Sequence, residues 1–278
     1  MAKSFLKWAG GKTRYARLLE SLSPPKWSGK FVEPFMGSAA LFFQVEPDRA
    51  VLADSNEELV ICFQEVRDHP HEVMGLLDEI PNEKEHYEMV RSTDPATLQP
   101  LHRAARVIYL NKTGFRGLWR VNRQGRFNVP YGAYERPYYN RDAFLMASKV
   151  LQGAKLRCGD YRECLRSARK GDWVYLDPPY VPTGAWGDFT RYTAGQFLGS
   201  DHEELATQVR SLDARGVHFL LTNSDTPFAR DLYSGFGMGI LETRRDIDLR
   251  SRHRKSTDLV VSNYLGSAEI KNSISRAS

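Results

Sequence analysis

Cysteine is scarce: three in 278 residues, Cys62, Cys158 and Cys164, with no CxxC pair and no histidine at ligand spacing. That excludes a secreted disulfide framework and speaks against a structural zinc site, so no metal is expected. No apolar run approaches the roughly 18 residues of a membrane span, and MAKSFLKWAGG lacks the apolar core of a signal peptide. The expectation is a soluble cytoplasmic protein with no membrane partner. Internal repeats and low-complexity tracts are also missing. Net charge is small, +5 from 39 Lys/Arg against 34 Asp/Glu. The 41% hydrophobic and 26% charged residues are ordinary for a globular chain, one large domain or two modest ones, able to bury a core without staples.

The small excess conceals a segregation. Between Leu101 and Arg141 stand Arg103, Arg106, Lys112, Arg116, Arg120, Arg123, Arg126, Arg136 and Arg141 against Glu135 alone. A second cluster (Arg244, Arg245, Arg250, Arg252, Arg254, Lys255) opposes only Asp246 and Asp248. The rest of the chain is acidic. A single basic run is usually solvated surface. Two runs suit a polyanion, and the first is interleaved with Tyr109, Phe115, Trp119, Phe127, Tyr131, Tyr134, Tyr138 and Tyr139, which reads as phosphate contacts plus stacking surfaces for bases.

Short apolar runs bounded by turn residues predict strands at Lys30–Glu33, Ala50–Asp54, Leu156–Asp160, Trp173–Asp177, Val217–Asn223, Met238–Arg244 and Asp258–Tyr264. Helical patterns at Ser38–Val45, Glu57–Asp68, Asp142–Leu151, Tyr161–Ala168, His202–Ala214 and Pro227–Phe236 alternate with them, which favours a parallel sheet. The last two strands have no helix between them and are expected to pair antiparallel at an edge. From residue 70 to 139 the alternation stops. Helices at His71–Asp78, Glu83–Arg91 and Leu101–Thr113, then a hairpin over Leu118–Val129 turning at Asn122–Gly125, make this stretch an insert between 1–69 and 140–265. The tail, 266–278, is expected to fray.

The sharpest local pattern is Trp173-Val174-Tyr175-Leu176-Asp177-Pro178-Pro179-Tyr180. An apolar strand delivers an acid to its C-terminal end, where open α/β sheets place their sites. Two prolines stiffen the loop, so the Asp177 carboxylate and the Pro178 carbonyl can converge as acceptors beside the Tyr180 ring. Such a set suits an exocyclic amino group on a planar base: two accepted N–H bonds favour a pyramidal nitrogen with a directed lone pair. An ordinary strand exit with an Asp turn is the plainer alternative.

A second strand-to-helix turn, Glu33-Pro34-Phe35-Met36-Gly37-Ser38-Ala39, is built of small residues that allow close approach to a ligand, and Asp54 ends the next strand, twenty-one residues after Glu33, where an acid can bind ribose. It is not a dinucleotide fingerprint, and turn glycines would also account for it. The third pattern, Lys7-Trp8-Ala9-Gly10-Gly11-Lys12, could lay an indole and an ammonium beside a ligand, or be a loose terminal arm.

The ordered set KWAGGK, EPFMG, VLADSN, a basic insert and YLDPPY resembles the Dam-type DNA adenine-N6 methyltransferases, from Phe5 to Tyr264. The resemblance implies a class I methyltransferase fold, a mixed seven-stranded sheet with helices on both faces plus a mainly helical target-recognition insert with a β-hairpin. It also implies S-adenosylmethionine as donor and a flipped adenine in duplex DNA as acceptor, with GATC the family's usual site and one chain acting as a monomer. Carried over residue by residue, the cofactor side would be Trp8, Lys12, Phe35, Gly37, Ser38, Asp54, Asp160, Tyr161 and Asp177. The catalytic motif would be Asp177, Pro178, Pro179 and Tyr180.

In the insert, the DNA-contacting candidates are Arg116, Leu118, Arg120, Arg123, Arg126, Asn128, Pro130 and Tyr134, with Arg120 the base reader and Arg123 and Arg126 on phosphates. Arg116 stands where many members have Asn, and Ala39 replaces a loop glycine, a change expected to matter little if the residue already lies in the helix. The alternatives are a cytosine-N4, RNA adenine-N6 or protein-glutamine methyltransferase, or a non-catalytic DNA-binding protein on the same fold. Asp at 177 and the basic insert weigh against glutamine and cytosine.

Overall fold

In a computed structural model, described here for residues 2–122, 124–135, 137–182, 197–244 and 255–277, seven strands form one sheet. They are β1 (Phe31–Glu33), β2 (Ala50–Asp54), β3 (Ala154–Cys158), β4 (Trp173–Leu176), β5 (His218–Ser224), β6 (Gly237–Arg244) and β7 (Lys255–Ser262), in the order β3-β2-β1-β4-β5-β7-β6. The first five are parallel, and β7 inserts antiparallel between β5 and β6. The expected mixed seven-stranded α/β architecture is therefore present. The strand order reverses at β1, whose neighbours are β2 and β4, and a crevice at such a switch point is where these sheets bind ligands.

The central strands are apolar throughout because both faces are covered. Alternate residues supply two cores. Phe31, Leu52, Trp173, Tyr175, Leu220 and Val260 face one, while Val32, Val51, Ala53, Val174, Leu176, Phe219, Leu221, Leu259 and Val261 face the other. On the first face lie α1 (Ala16–Ser21), α2 (Ala40–Val45), α3 (Glu57–Asp68), α4 (Pro70–Asp78), α5 (Lys84–Ser92), α6 (Pro100–Thr113) and α7 (Arg141–Leu151). The second is covered by α8 (Tyr161–Ser167), α9 (Gly199–Ala214) and α10 (Pro227–Leu232).

Local chemistry sets the helix starts. The Asn56, Asn140 and Asp160 side chains accept backbone N–H groups at the N-termini of α3, α7 and α8, and Pro70, Pro100 and Pro227 open helices where a missing N–H costs nothing. Helices α4, α5 and α6 of the insert do not build a core of their own: Val73, Met74, Leu77, Tyr87, Val107, Ile108 and Leu110 join the first sheet core.

Two expectations are corrected. The tail does not fray: Ser267–Ala277 is a helix, α11, whose Ile270 and Ile274 are buried beneath β6, where Gly239 has no side chain to obstruct Ile270. Ala39 is not inside α2 but just before it, at φ +51°, a left-handed conformation in which its Cβ is strained. Over the predicted hairpin, the antiparallel Val121–Phe127 bridge is flanked by two backbone bonds, Asn122 N–H to Arg126 O at 2.8 Å and Asn128 N–H to Arg120 O at 3.1 Å. The turn falls where expected, with Gly125 N–H donating to Asn122 O at 3.0 Å and the Asn122 side chain accepting from the N–H groups of Gln124 and Arg126. Among the described residues no helix is long and apolar enough to cross a membrane, and no group of three His, Cys, Asp or Glu could hold a metal ion.

Candidate active site

Strand ends converge on a cleft of about 690 Å³. It is lined by all twelve residues named above for the cofactor and the catalytic motif: Trp8, Lys12, Phe35, Gly37, Ser38, Asp54, Asp160, Tyr161, Asp177, Pro178, Pro179 and Tyr180. Residues distant in sequence meet because β1, β2 and β4 end at one edge and the chain's N-terminal segment folds across it.

Asp177, one residue beyond β4, is gripped from two sides. Lys12 Nζ lies 2.8 Å from Oδ1 and 3.0 Å from Oδ2, and donates also to Gly10 O at 2.8 Å. The Thr222 hydroxyl of β5 donates to Oδ1 at 2.7 Å. A carboxylate offers about four acceptor positions, so these contacts leave one on Oδ2. The loop beyond is pinned by Asn223, whose Oδ1 accepts Val181 N–H at 3.0 Å.

Tyr180 is fixed at both ends. Its hydroxyl donates to Asp258 Oδ2 at 2.9 Å, and Lys12 Nζ stands 4.6 Å from its ring centroid. Asp258, buried on β7, also accepts Thr243 Oγ1 at 3.1 Å. Burial, with the Asp177 charge second, holds the Tyr180 hydroxyl well above its ordinary pKa, so it remains a donor. Burial likewise raises Asp258.

At the β1 end of the cleft, Gly37 sits at φ +44°, and a Cβ there would stand 2.9 Å from Trp8 Cδ1. Its N–H donates to Asp54 Oδ2 at 3.1 Å, and Asn56 N–H holds Oδ1 at 3.0 Å. Burial raises the Asp54 pKa against these donors. Glu33 is buried at the end of β1 with Oε2 meeting no partner among the described residues, and its carboxyl is raised well above 4.5, first by burial and then by Asp177. Across the cleft Phe35, Tyr161 and Phe197 form an aromatic corner, with Phe35–Tyr161 centroids 5.0 Å apart. Asp160 caps α8 and pairs with Arg162 at 2.5 Å, which lowers its pKa.

This cleft fits a nucleoside bearing positive charge. Its lining carries six acidic groups (Glu33, Asp54, Asp160, Asp177, Asp201, Asp258) and four basic ones (Lys7, Lys12, Arg116, Arg162), a left-handed glycine permits close backbone approach, and Glu33 Oε2 meets no donor among the described residues. The motif pattern had pointed to Asp54 and Asp177. It missed Glu33, Thr222, Asn223 and Asp258, although the polar ending Thr222-Asn223-Ser224 of an otherwise apolar strand is the same kind of signal as Asp177.

The basic stretch from Leu101 to Arg141 is less uniform than its composition. Arg103 pairs with Glu57 and Glu58, the buried Arg106 donates to Val90 O and Arg91 O, and Arg141 pairs with Asp78. The interleaved aromatics are mostly core and not stacking surfaces: Tyr109, Trp119 and Phe127 are buried, and the Tyr138 and Tyr139 hydroxyls donate to carbonyls of α4 and its exit. Phe115 is exposed.

Of the proposed DNA contacts, Arg120 and Arg126 are exposed, and Arg120 is braced by Asn128, with Nε 2.8 Å from Oδ1 and Nη2 3.3 Å from the carbonyl. Leu118 is half-buried against the core, and exposed Pro130 accepts Phe115 N–H. Arg116 is exposed at the mouth of the cleft in a left-handed conformation (φ +58°), with its N–H donating to the Tyr134 hydroxyl at 2.7 Å. Arg123 and the cluster from Arg245 to Arg254 lie outside the described residues.

Residues 8–247 match the family described as D12 class N6 adenine-specific DNA methyltransferase. Relatives include the type II methyltransferase M1.LlaDCHI of Lactococcus lactis subsp. cremoris, 36% identical over 94% of this chain and 95% of that protein. Another is M.MjaIII of Methanocaldococcus jannaschii, 34% identical over 94% and 99%. The DNA adenine methylase of Salmonella typhi is 32% identical over 94% and 95%. With an acid, two prolines and a tyrosine at the end of β4 and a matching family over most of its length, this chain belongs to the D12 class N6 adenine-specific DNA methyltransferases.

Proposed function

We propose that the protein transfers a methyl group from S-adenosylmethionine to N6 of an adenine in duplex DNA, at a short site of which GATC is the first candidate, after the base has turned out of the helix. The observation that carries this is the Asp177 carboxylate, held by Lys12 and Thr222 so that Oδ2 keeps one acceptor position at the cleft. Asp54 would hold the ribose hydroxyls, the Phe35–Tyr161 corner the cofactor adenine, and Glu33 with the Gly37 turn the amino-acid end. When bound, the cofactor supplies an electrophilic methyl on a sulfonium, whose positive charge suits a cleft lined by more acidic than basic side chains.

Adenine N6 is a poor nucleophile because its lone pair is delocalised into the ring. Asp177 accepts one N6–H and the Pro178 carbonyl the other, which directs the lone pair at the methyl carbon. The N–C bond forms as the C–S bond breaks with its electron pair going to sulfur, and the N6 proton then leaves through the Asp177 acceptor to water. This is positioning and electrostatic catalysis, which needs no covalent link to the protein.

An N6 inside a duplex is paired and stacked, so extrusion costs a few kcal/mol. Tyr180, its hydroxyl anchored on Asp258, offers a ring that cannot swing away, and stacking on it returns about 1–3 kcal/mol. Residues 70–139 serve as the target-recognition part, with Arg120 reading a guanine edge and Arg126 on phosphate. Action as a monomer on DNA, in the cytoplasm, belongs to the same proposal. Single-molecule sequencing of plasmid DNA from cells expressing the protein should show N6-methyladenine in one short motif. Unmodified DNA, or methylcytosine instead, overturns the reading.

A further inference from the structure

The N-terminal segment touches both halves of the proposed machinery. At one end Lys12 holds Asp177. At the other, buried Asn111 of α6 clamps Lys7: Lys7 N–H donates to Oδ1 at 2.9 Å, and Asn111 Nδ2 donates to Lys7 O at 2.6 Å and to Gly117 O at 3.2 Å. Gly117, at φ +67°, admits this approach, since a Cβ there would stand 2.6 Å from Lys7 Cδ.

Between the two anchors lies Trp8. One side of its indole meets Gly37 of the cofactor turn. It also stacks on Trp119, with centroids 5.9 Å apart and planes 19° from parallel. Trp119 is buried and packs in turn on Phe127, centroids 4.9 Å apart. Trp119 and Phe127 immediately precede Arg120 and follow Arg126, so the two rings brace the base of the arm that carries both arginines.

We propose that Trp119 is a positioning residue that couples the two ligands: through its stack on Trp8, seating of the cofactor in the Gly37 turn tightens the DNA-reading arm, and DNA on that arm tightens the cofactor. The inference rests on the proposed function, because it assigns the cleft to the cofactor and the arm to DNA. Trp119 is buried and does not line the cleft. Its effect is on the equilibrium between arrangements of the Trp8–Trp119–Phe127 stack, and the coupling must be reciprocal. A loose N-terminal arm would not transmit this. A segment clamped by Asn111 and Lys12 does.

The test measures the dissociation constant of the full chain for a duplex carrying the methylated motif, with and without the unreactive analogue sinefungin, and for sinefungin with and without the duplex. Wild type should bind DNA at least about five-fold tighter with the analogue present, and the analogue tighter with DNA by the same factor. Trp119→Leu keeps an apolar filler and removes the ring. It should bring both ratios close to one while each ligand alone binds within about three-fold of wild type. Trp119→Phe, which keeps a ring, should fall between, and so supplies the answer even if the leucine variant folds poorly.

Arg120→Ala separates the two hypotheses. It should weaken DNA binding yet preserve the ratio. A wild-type ratio of one, or an undiminished ratio in both Trp119 variants, overturns the coupling. Failure of wild type to bind either ligand alone overturns the proposed function instead.

Discussion

Asp177 and Arg120 are both charged side chains at the working surface, and the fold treats them in opposite ways. Asp177 takes hydrogen bonds from a lysine 165 residues away in the chain and from a threonine on the next strand. Arg120 stands exposed, braced by Asn128 of its own loop. One region is a preorganised floor with Asp177, Glu33, Asp54 and Asp258 held in place before any ligand arrives. The other is an arm whose cations point at solvent while its aromatic residues turn inward.

The difference teaches where each kind of free energy is held. The floor carries the electrostatic cost of sequestering acids, visible in the raised pKa values of Glu33, Asp54 and Asp258. On the arm, Arg120 and Arg126 are exposed, and exposed charges are screened by salt. Substitutions on the floor should therefore change chemistry or stability, and substitutions on the arm should change sequence discrimination or salt dependence.

The largest contrast comes from Asp177→Ala. Removing the acceptor should lower single-turnover methyl transfer by about 10²–10³-fold or more while the protein stays folded and binds DNA. Near-normal transfer from labelled cofactor would dissolve the distinction between floor and arm.

Next, Arg120→Ala should cost about 1–3 kcal/mol on the preferred site and little on others, relaxing discrimination at one base pair. Arg126→Ala should weaken all sequences alike and reduce the salt slope of binding by about one. Measuring kcat/KM on every single-base variant of the site at several salt concentrations checks both. A uniform loss for Arg120→Ala would move it among the phosphate contacts.

Glu33→Gln probes the stored cost. The folded-state pKa of Glu33 lies above its ordinary value of 4.5, so between the two values the folded protein binds more protons than the unfolded chain. Wild-type stability then falls as pH rises through that window, and the glutamine variant is spared. Its Tm should match wild type near pH 4 and exceed it by a few degrees at pH 8, at about 2–4 °C per kcal/mol. A difference in Tm that is flat with pH would show that burial of Glu33 carries no such penalty.

The smallest effect belongs to Arg116→Asn. Asn accepts the left-handed backbone better than Arg, so stability should rise by up to about 1 kcal/mol, read as a small upward shift in Tm. DNA binding on matched and mismatched sites then shows which contact the guanidinium makes at the cleft mouth.

The catalytic tetrapeptide and the strand alternation were readable in the chain because their signals are local. An apolar run of four to five residues ending in an acid records strand, edge and function together, as Val51–Asp54 and Val174–Asp177 do. Glu33, Thr222 and Asp258 were harder to see because each gains its role only from a neighbouring strand. The tail misled for the same reason: Ser267–Ala277 is polar by composition, and only the bare backbone of Gly239 makes room for Ile270. Charge counts misled most, since a run of basic residues says nothing of which ones face carboxylates.

The sequence by itself determined an α/β sheet with an acid at the ends of β2 and β4, a basic stretch between the sheet's two halves, and the motif set of a DNA adenine methyltransferase, because periodicity and short motifs follow from bonds along the chain. Tertiary structure alone decided that Lys12 would reach Asp177, that Asp258 would hold Tyr180, that Trp8 would lie on Trp119, and that Arg103, Arg106 and Arg141 would be occupied by the fold while Arg120 and Arg126 stayed exposed. Those are contacts through space, and burial and pairing depend on which distant segment the packing brings within 3 Å or so of a charged or hydrogen-bonding group.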